Sequence, residues 1–418
     1  MPENVVLLSV DALRADHLTC YGYERPTSPF IDDFGENNIH FSNSYSAAPN
    51  TRESIPSLLS GHFSDESLKP NYKLNKPTIA SFLSEEGYRT AAFHSNPYAS
   101  RAFDMDRGFE LYDDDLHLGK NKWIALFQRA VDKIRNKHYV RADTINKKSL
   151  DWMDEMSDDE PFFLWNHYMD VHGPYEPLTE YRELFEPDAI SDRKAQSLYQ
   201  RAVKRPDSIS EAERETLINL YDAEIRYLDS CIESFIDSLR ERGLLEDSLV
   251  VFTADHGDAF GEHGYYEHPQ YLHDELIRVP IIVAEPGNDT TVSMPASTLD
   301  VLPTILDFVG VDAEVPGDSL LKISETPSAE RVVFSQVRGE NSDRNIRRFR
   351  AISSDSTAFG EFDLDSEEVS ITDQDSESIG TQLSDHILER TNESEFKDSE
   401  EDIEDSEIER RLEALGYK

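Results

Sequence analysis

Four short apolar runs, separated by stretches with helical spacing, restrict the fold of this chain more than any other feature. The runs are apolar almost throughout, as strands are when helices cover both faces of a sheet. We interpret them as buried parallel strands of one sheet. They are Val5–Val10, Phe162–Trp165, Leu249–Thr253 and Val279–Val283.

Amphipathic helices are predicted between these strands. Pro77–Glu86 is one, and Glu211–Glu241 is another because apolar residues recur along it at helical spacing. Strands that alternate with helices indicate an α/β, doubly wound sheet with helices on both faces.

The chain has 418 residues, more than the roughly 250–300 at which one core stops growing. We therefore predict a catalytic domain over residues 1–312 and a small C-terminal subdomain over 313–418. Arg331–Val337 and Phe349–Ser353 are candidate strands of that subdomain.

The end of the chain is predicted to be partly unstructured. Asp363–Asp405 is crowded with Asp, Glu and Ser, so we expect an acidic, flexible excursion that buries too little apolar area to fold. Ile408–Leu415 is then predicted to be a short terminal helix.

The charge balance excludes two classes of partner. The chain has 41 basic and 84 acidic residues, a net charge of −43, which repels nucleic acid and anionic lipid. Such acidity is typical of proteins kept soluble in high salt, so a halophilic source is expected. The sequence shows no signal peptide and no run of about 20 apolar residues, which predicts a cytoplasmic protein without membrane insertion.

Polar or ionisable residues follow three of the four predicted strands. They are Asp11, the segment from Asn166 to His172, and the pair Asp255 and His256. Because ligands bind beyond the carboxyl ends of strands in open α/β sheets, this pattern predicts an active site at that edge.

Asp255 and His256 offer one oxygen and one nitrogen ligand to a cation, with Gly257 allowing a sharp turn. Asp11 offers a further carboxylate at the end of another strand. Taken alone, Asp11 fits a helix cap equally well, and Asp255 with His256 also fits an Asx-type turn.

Thr51 is the candidate nucleophile. It lies where a helix is predicted to begin, and Gly61 lies where that helix should end. A hydroxyl there faces backbone N–H groups and the positive end of the helix dipole, and a divalent cation would make it reactive. Plain N-capping by Thr51 is the alternative.

Together, three segments resemble the sulfatase family of the alkaline-phosphatase superfamily. They are Val10–Tyr23, Pro56–Gly61 and Thr253–Gly264. Weaker likeness continues in His167–Tyr175, Ile277–Ile282, Asp300–Leu306 and Arg411–Tyr417. The resemblance implies an alkaline-phosphatase-like catalytic domain with a mixed sheet.

The resemblance also implies roles for individual residues. Asp11, Asp255, His256 and the nucleophile Thr51 would bind one divalent cation: Mn²⁺, Zn²⁺, Ca²⁺ or Mg²⁺. His172 and His268 would contact the ester or protonate the leaving group. Asn96 would bind substrate, and Arg52 would supply positive charge beside it.

The chain departs from the sulfatase signature. Sulfatases have Cys or Ser at the nucleophile position, then Pro two residues on and Arg four residues on, whereas this chain has Thr51, Glu53 and Ile55. Threonine cannot become formylglycine, and the paired opening aspartates are reduced to Asp11-Ala12. These differences favour the phosphoryl-transferring relatives, and a His ligand favours Mn²⁺ or Zn²⁺.

The sequence thus predicts a metal-dependent hydrolase or transferase acting on small phosphate or sulfate esters through Thr51. One alternative is a sulfatase that works without formylglycine. A second is a two-metal phosphodiesterase or phosphatase using Asp170, His172 and either His268 or His273. A third is a non-catalytic protein that binds an anionic ester. The oligomeric state is not indicated.

Overall fold

A computed structural model of the chain describes residues 4–69, 71–115, 139–157, 160–186, 190–285, 288–326 and 330–393. The strands are β1 Asn4–Val10, β2 Ile39–Phe41, β3 Ser44–Tyr45, β4 Arg89–Phe93, β5 Leu111–Asp113, β6 Phe162–Tyr168, β7 Ser248–Ala254, β8 Ala259–Phe260, β9 Tyr266–Glu267, β10 Ile281–Ala284, β11 Thr290–Val292, β12 Ala296–Ser297, β13 Val333–Arg338, β14 Ile346–Ile352, β15 Thr357–Asp363 and β16 Glu368–Gln374.

The α-helices are α1 Pro29–Glu36, α2 Thr51–Ser60, α3 Ser64–Ser67, α4 Ile79–Glu85, α5 Ala142–Met153, α6 Thr179–Phe185, α7 Asp192–Lys204, α8 Glu211–Glu241, α9 Asp274–Ile277, α10 Val301–Val309, α11 Leu320–Glu325 and α12 Glu377–Glu393. Along the described ranges, each helix is too short or too polar to cross a lipid bilayer.

An eight-stranded mixed sheet has the order β11-β2-β10-β7-β1-β6-β4-β5. Its central strands β7, β1, β6 and β4 are parallel neighbours. The predicted parallel strand Val279–Val283 is wrong in direction, because β10 runs antiparallel to both β7 and β2. Short elements, not a long crossover helix, connect β7 to β10. An apolar run covered on both faces carries no signal for strand direction.

Both faces of the large sheet are buried, as the continuous apolar runs predicted. In β1, Val6 and Leu8 belong to the core that includes α8, whereas Val5 and Leu7 belong to the core that includes α2 and α10. The predicted helix Glu211–Glu241 has the observed bounds of α8. The predicted α/β class, with a large mixed sheet and helices, is therefore confirmed.

The C-terminal part forms a four-stranded antiparallel sheet, β13-β14-β15-β16. Helix α12 packs on it through Ile379, Leu383 and Ile387, which contact the core around Phe349 and Phe362. A small antiparallel sheet with one helix fits the predicted subdomain.

The prediction of a flexible excursion over Asp363–Asp405 is wrong for its described part. Residues 368–374 form β16 and residues 377–393 form α12. Three apolar residues at four-residue spacing are enough to attach α12 to a sheet that already exists, although the segment is too polar to fold alone. Residues 394–405 and the predicted helix Ile408–Leu415 lie outside the described residues.

Candidate active site

The predicted site residues meet where four parallel strands end. Asp11 follows β1, Asp255 follows β7, Asn96 lies three residues after β4, and His172 follows β6. The backbone N–H of Asp11 donates to the carbonyl of Tyr168 at 2.8 Å, so the carboxylate is fixed by the sheet ladder.

Asp11, Asp255 and His256 form a buried cluster. Each offers one ligand atom, and these atoms lie within 4.8 Å of one another. His256 Nε2 is 3.5 Å from Asp11 Oδ1 and 3.6 Å from Asp255 Oδ2. His256 Nδ1 donates to the carbonyl of Gly257 at 2.8 Å, which leaves the Nε2 lone pair facing the carboxylates.

The electrostatics of this cluster fit a divalent cation. Burial, reinforced by the charge of Asp11, raises the pKa of Asp255 well above its usual range. Burial also lowers the pKa of His256 to about 3, so this ring is neutral and can act as a ligand. Within the described structure, Asp11 Oδ1 is buried without a hydrogen-bond donor. Two carboxylates and one neutral imidazole form a donor set of the kind that binds such an ion.

Thr51 lies in direct contact with this cluster. Its hydroxyl oxygen is 3.0 Å from His256 Nε2 and 3.5 Å from Asp11 Oδ2. Thr51 is the first residue of α2, and Asn50 occupies the N-cap position. Asn50 donates its side-chain amide to Gln270 at 2.8 Å. The alternative of plain N-capping by Thr51 therefore does not describe the observed geometry.

Two further histidines lie beside the cluster, and their surroundings shift their pKa values in opposite directions. His172 Nδ1 donates to the carbonyl of Gly173 at 2.6 Å, and burial lowers its pKa, so His172 is neutral. His268 Nδ1 lies 3.2 Å from Asp258 Oδ1. Burial by itself would lower the pKa of His268, but Asp258 raises it above 6.5. The ring of His268 is 4.4 Å from that of His256, centroid to centroid.

Asn96 and Arg52, the two predicted substrate contacts outside the histidines, differ in what they contact. The side-chain amide of Asn96 donates to Asp11 Oδ2, so Asn96 orients a candidate ligand. Arg52 donates to Glu340 at 2.8 Å and to the Tyr98 hydroxyl at 2.9 Å. The charge of Arg52 is thus balanced by Glu340, and these contacts do not direct it at the cluster.

The residues of the alternative two-metal site do not form a second metal-binding group, although the rings of His172 and His268 lie 5.3 Å apart, centroid to centroid. Asp170 Oδ1 pairs with Arg141 Nε at 2.9 Å. His273 bonds to the Tyr265 hydroxyl and stacks on His263 at a centroid distance of 3.7 Å. Throughout the ranges that the structure describes, Asp11, Asp255 and His256 form the one group with metal-binding spacing.

Three contributing residues had no predicted role. Asp258 bonds to His268. Because Asp258 lies only three residues after Asp255, the sequence could have indicated that its carboxylate belongs to the same site. Ser54 donates to Asp255 Oδ2 at 3.2 Å and lies one helical turn after Thr51, which was a second signal. His167 Nε2 is 3.6 Å from Asp11 Oδ2, a proximity that follows only from the β1–β6 pairing.

The family model described as Sulfatase matches residues 3–311 of the chain. The chain belongs to the sulfatase family. The chain is 24% identical over 382 residues to an arylsulfatase of Clostridium perfringens, covering 78% of this chain and 79% of the relative. It is 23% identical over 352 residues to the choline-sulfatase of Rhizobium meliloti, covering 74% and 68%. The chain is also 23% identical to the lipoteichoic acid synthase-like YvgJ of Bacillus subtilis, over 78% of this chain and 51% of that relative.

Solved structures share the fold of this chain. The phosphonate monoester hydrolase of Agrobacterium radiobacter superimposes with a TM-score of 0.72 at 16% identity, covering 93% of this chain and 95% of that one. A protein solved in complex with its substrate D-glucosamine-2-N,6-O-disulfate gives a TM-score of 0.71 at 17% identity, covering 99% and 98%. At these identities the likeness concerns the fold alone.

Proposed function

We propose that this sulfatase-family protein is a metal-dependent hydrolase or transferase of small phosphate or sulfate esters, with Thr51 as its nucleophile. One observation carries the proposal. The Thr51 hydroxyl lies at the start of α2, 3.0 Å from His256 and 3.5 Å from Asp11, inside a buried donor set.

Asp11, Asp255 and His256 would hold the cation together with the Thr51 oxygen. When bound, a divalent cation lowers the pKa of the threonine hydroxyl and neutralises charge on the ester oxygens. The nitrogen ligand favours Mn²⁺ or Zn²⁺ over Ca²⁺ or Mg²⁺.

In the proposed reaction the Thr51 hydroxyl, whose pKa the cation would lower, first loses its proton to solvent. The Thr51 oxygen then forms a bond to phosphorus or sulfur while the bond to the leaving oxygen breaks. His268, whose pKa Asp258 raises, donates its Nε2 proton to that oxygen. The neutral His268 then accepts a proton from water or an acceptor alcohol. The new oxygen bonds to phosphorus or sulfur, and the Thr51 oxygen is released.

The departures from the sulfatase signature favour phosphate over sulfate esters. A threonine replaces the residue that matures to formylglycine, and one relative is named as lipoteichoic acid synthase-like. Two similar structures are phosphonate monoester hydrolases. A sulfatase that works without formylglycine is the second candidate, because other relatives are named as arylsulfatase and choline-sulfatase.

The test compares wild type, Thr51→Ala and Thr51→Ser on an aryl sulfate, a phosphate monoester and a phosphodiester, each with Mn²⁺ or Zn²⁺. We expect Thr51→Ala to lose about a thousandfold or more in kcat while retaining fold and metal, because the nucleophile is gone. Thr51→Ser keeps the hydroxyl and should retain part of the activity. Full turnover by Thr51→Ala would exclude the assignment, and a metal-free wild type without turnover would favour a non-catalytic protein.

A further inference from the structure

Glu53, two residues after Thr51, connects helix α2 to the C-terminal sheet. Its side chain is buried in the first turn of α2. One carboxylate oxygen accepts the hydroxyl of Ser64 at 2.6 Å, and the other accepts the backbone N–H of Arg338 at 3.3 Å. Ser64 begins α3 and Arg338 ends β13, so one carboxylate joins three elements.

Neighbouring contacts run between the same elements. Arg52 pairs with Glu340, which lies two residues after Arg338. The Arg338 guanidinium donates to the backbone carbonyl of Ser64 at 3.1 Å. Successive residues of α2 are therefore held by one short segment of the C-terminal sheet, and α3 is held by the same segment.

The contacts of Glu53 bear on the position of the Thr51 hydroxyl oxygen. Thr51 and Glu53 belong to the same helical turn, so a rotation or shift of α2 that Glu53 prevents would also move the Thr51 oxygen. A misplacement well below 1 Å matters for a reacting group, because its rate depends on alignment with the ester. Burial raises the pKa of the Glu53 carboxyl, and the hydrogen bonds from Ser64 and Arg338 offset part of that cost.

We infer that Glu53 is a positioning residue that sets the location of the Thr51 oxygen by fastening the first turn of α2 to β13 and α3. The inference rests on the proposed role of Thr51. It gives the C-terminal sheet a part in the proposed reaction, although Asp11, Asp255 and His256 follow strands of the large mixed sheet.

The test is a double-mutant cycle of Glu53→Gln and Ser64→Ala, measured on the metal-loaded full chain well below its unfolding temperature. The neutral amide is a weaker acceptor than the carboxylate, and the Ser64 hydroxyl can turn to accept from its NH₂ group, so Glu53→Gln weakens the links of Glu53 without changing its size. We expect kcat to fall about tenfold, with KM and metal affinity within about twofold of wild type. The fall in kcat for the double variant should be smaller than the sum of the two single effects in free energy, because both changes act on the link between Glu53 and Ser64.

Glu66→Gln is the matched control. Glu66 lies in α3, and its ion pairs in the described part of the chain are with Arg390 of the C-terminal helix, Lys76 and His62, none of which belongs to α2. This change should lower the unfolding temperature and leave kcat unchanged. An equal fall in kcat for Glu66→Gln, or additive effects in the cycle, would overturn the positioning role.

The two proposals fail in different ways. If Thr51→Ala keeps full turnover, the proposed function fails. If Thr51→Ala is inactive while Glu53→Gln turns over like wild type, only the positioning role of Glu53 fails.

Discussion

At the residue scale, the site separates its ionisable groups by environment. His256 and His172 are neutral because burial lowers the pKa of each ring, whereas His268 stays protonated more readily because it bonds to Asp258. A neutral imidazole is a metal ligand, and a protonated one is an acid. Three histidines that look alike in the sequence therefore suit different tasks.

The pH dependence of the rate should report the bond between His268 and Asp258. An acid must be protonated to act, so kcat for an alkyl phosphodiester should fall as pH rises through the raised pKa of His268. Asp258→Asn removes the charge that raises this pKa, and the alkaline limb should move to lower pH. Tyr175→Phe is the control, since Tyr175 donates to the other oxygen of Asp258 at 2.9 Å. If the alkaline limb of the pH dependence of kcat stays at the same pH in Asp258→Asn, the role of His268 as the acid is contradicted.

Metal removal should expose the repulsion between Asp11 and Asp255. The pKa of Asp255 is raised in the folded chain, so its protonated form stabilises the metal-free fold below the ordinary pKa of 3.8. That stability is lost as pH rises through the raised value. A chelator should therefore lower the unfolding temperature more at higher pH, and added Mn²⁺ or Zn²⁺ should restore it.

Asp255→Asn is the matched control for the chelation experiment. The amide carries no charge, so the variant loses both the repulsion between residues 11 and 255 and one charged metal ligand. Its unfolding temperature should be less sensitive to pH in chelator and should respond weakly to added metal. Calorimetric unfolding scans measure both effects. A wild-type chain that unfolds at the same temperature with and without metal would argue against the cluster as a metal site.

At the element scale, the sequence predicted what depends on local pattern. The four predicted runs are almost continuously apolar, and the structure has strands there. The segment of α8 has apolar residues at helical spacing, and the structure has a helix there. Short strands such as β2, β5 and β11 were missed because three residues carry no period. The gathering of Asp11, Asp255 and His256 was predictable because each follows a strand, whereas the Glu53 contacts depend on tertiary packing.

Gly257 was predicted to permit a sharp turn, and the structure corrects the reason. A Cβ at Gly257 would lie 2.1 Å from the Glu275 carbonyl oxygen, so the residue permits close approach of α9. Gly257→Ala should lower the free energy of unfolding by about 1–3 kcal/mol and weaken metal binding, because His256 is adjacent. Denaturant unfolding and metal titration measure the two effects.

Gly310→Ala is the control for this substitution. Gly310 has a φ of +74°, and a Cβ there would meet no atom within 4 Å. It should cost about 1 kcal/mol through backbone strain and leave metal affinity unchanged. Equal metal affinity in Gly257→Ala and wild type would show that α9 does not hold His256 in place.

At the scale of the whole molecule, net charge is the dominant feature. A net charge of −43 acts against the compact state through self-repulsion. Salt reduces that repulsion, since the screening length falls from about 10 Å at 0.1 M to about 3 Å at 1 M.

The free energy of unfolding should therefore rise as KCl increases from about 0.1 M to about 1 M, the range over which screening shortens. Urea denaturation at each salt concentration measures it. Replacing exposed carboxylates of β16, as in Glu368→Gln with Asp373→Asn, should reduce the salt response while changing no buried contact. Stability that is independent of salt, or that falls with it, would contradict the expectation of a salt-adapted protein.

The most direct test of the central claim is to identify the covalent intermediate. A His268→Gln variant is mixed with a nitrophenyl phosphodiester, quenched in acid and mapped by peptide mass spectrometry. Nitrophenol leaves without an added proton, whereas release of the group from Thr51 needs the base, so the intermediate should accumulate. The account predicts that Thr51 gains the mass of the phosphoryl group together with the ester substituent that remains on phosphorus. Release of nitrophenol with Thr51 unmodified at every time point, or with the mass on another residue, would contradict it.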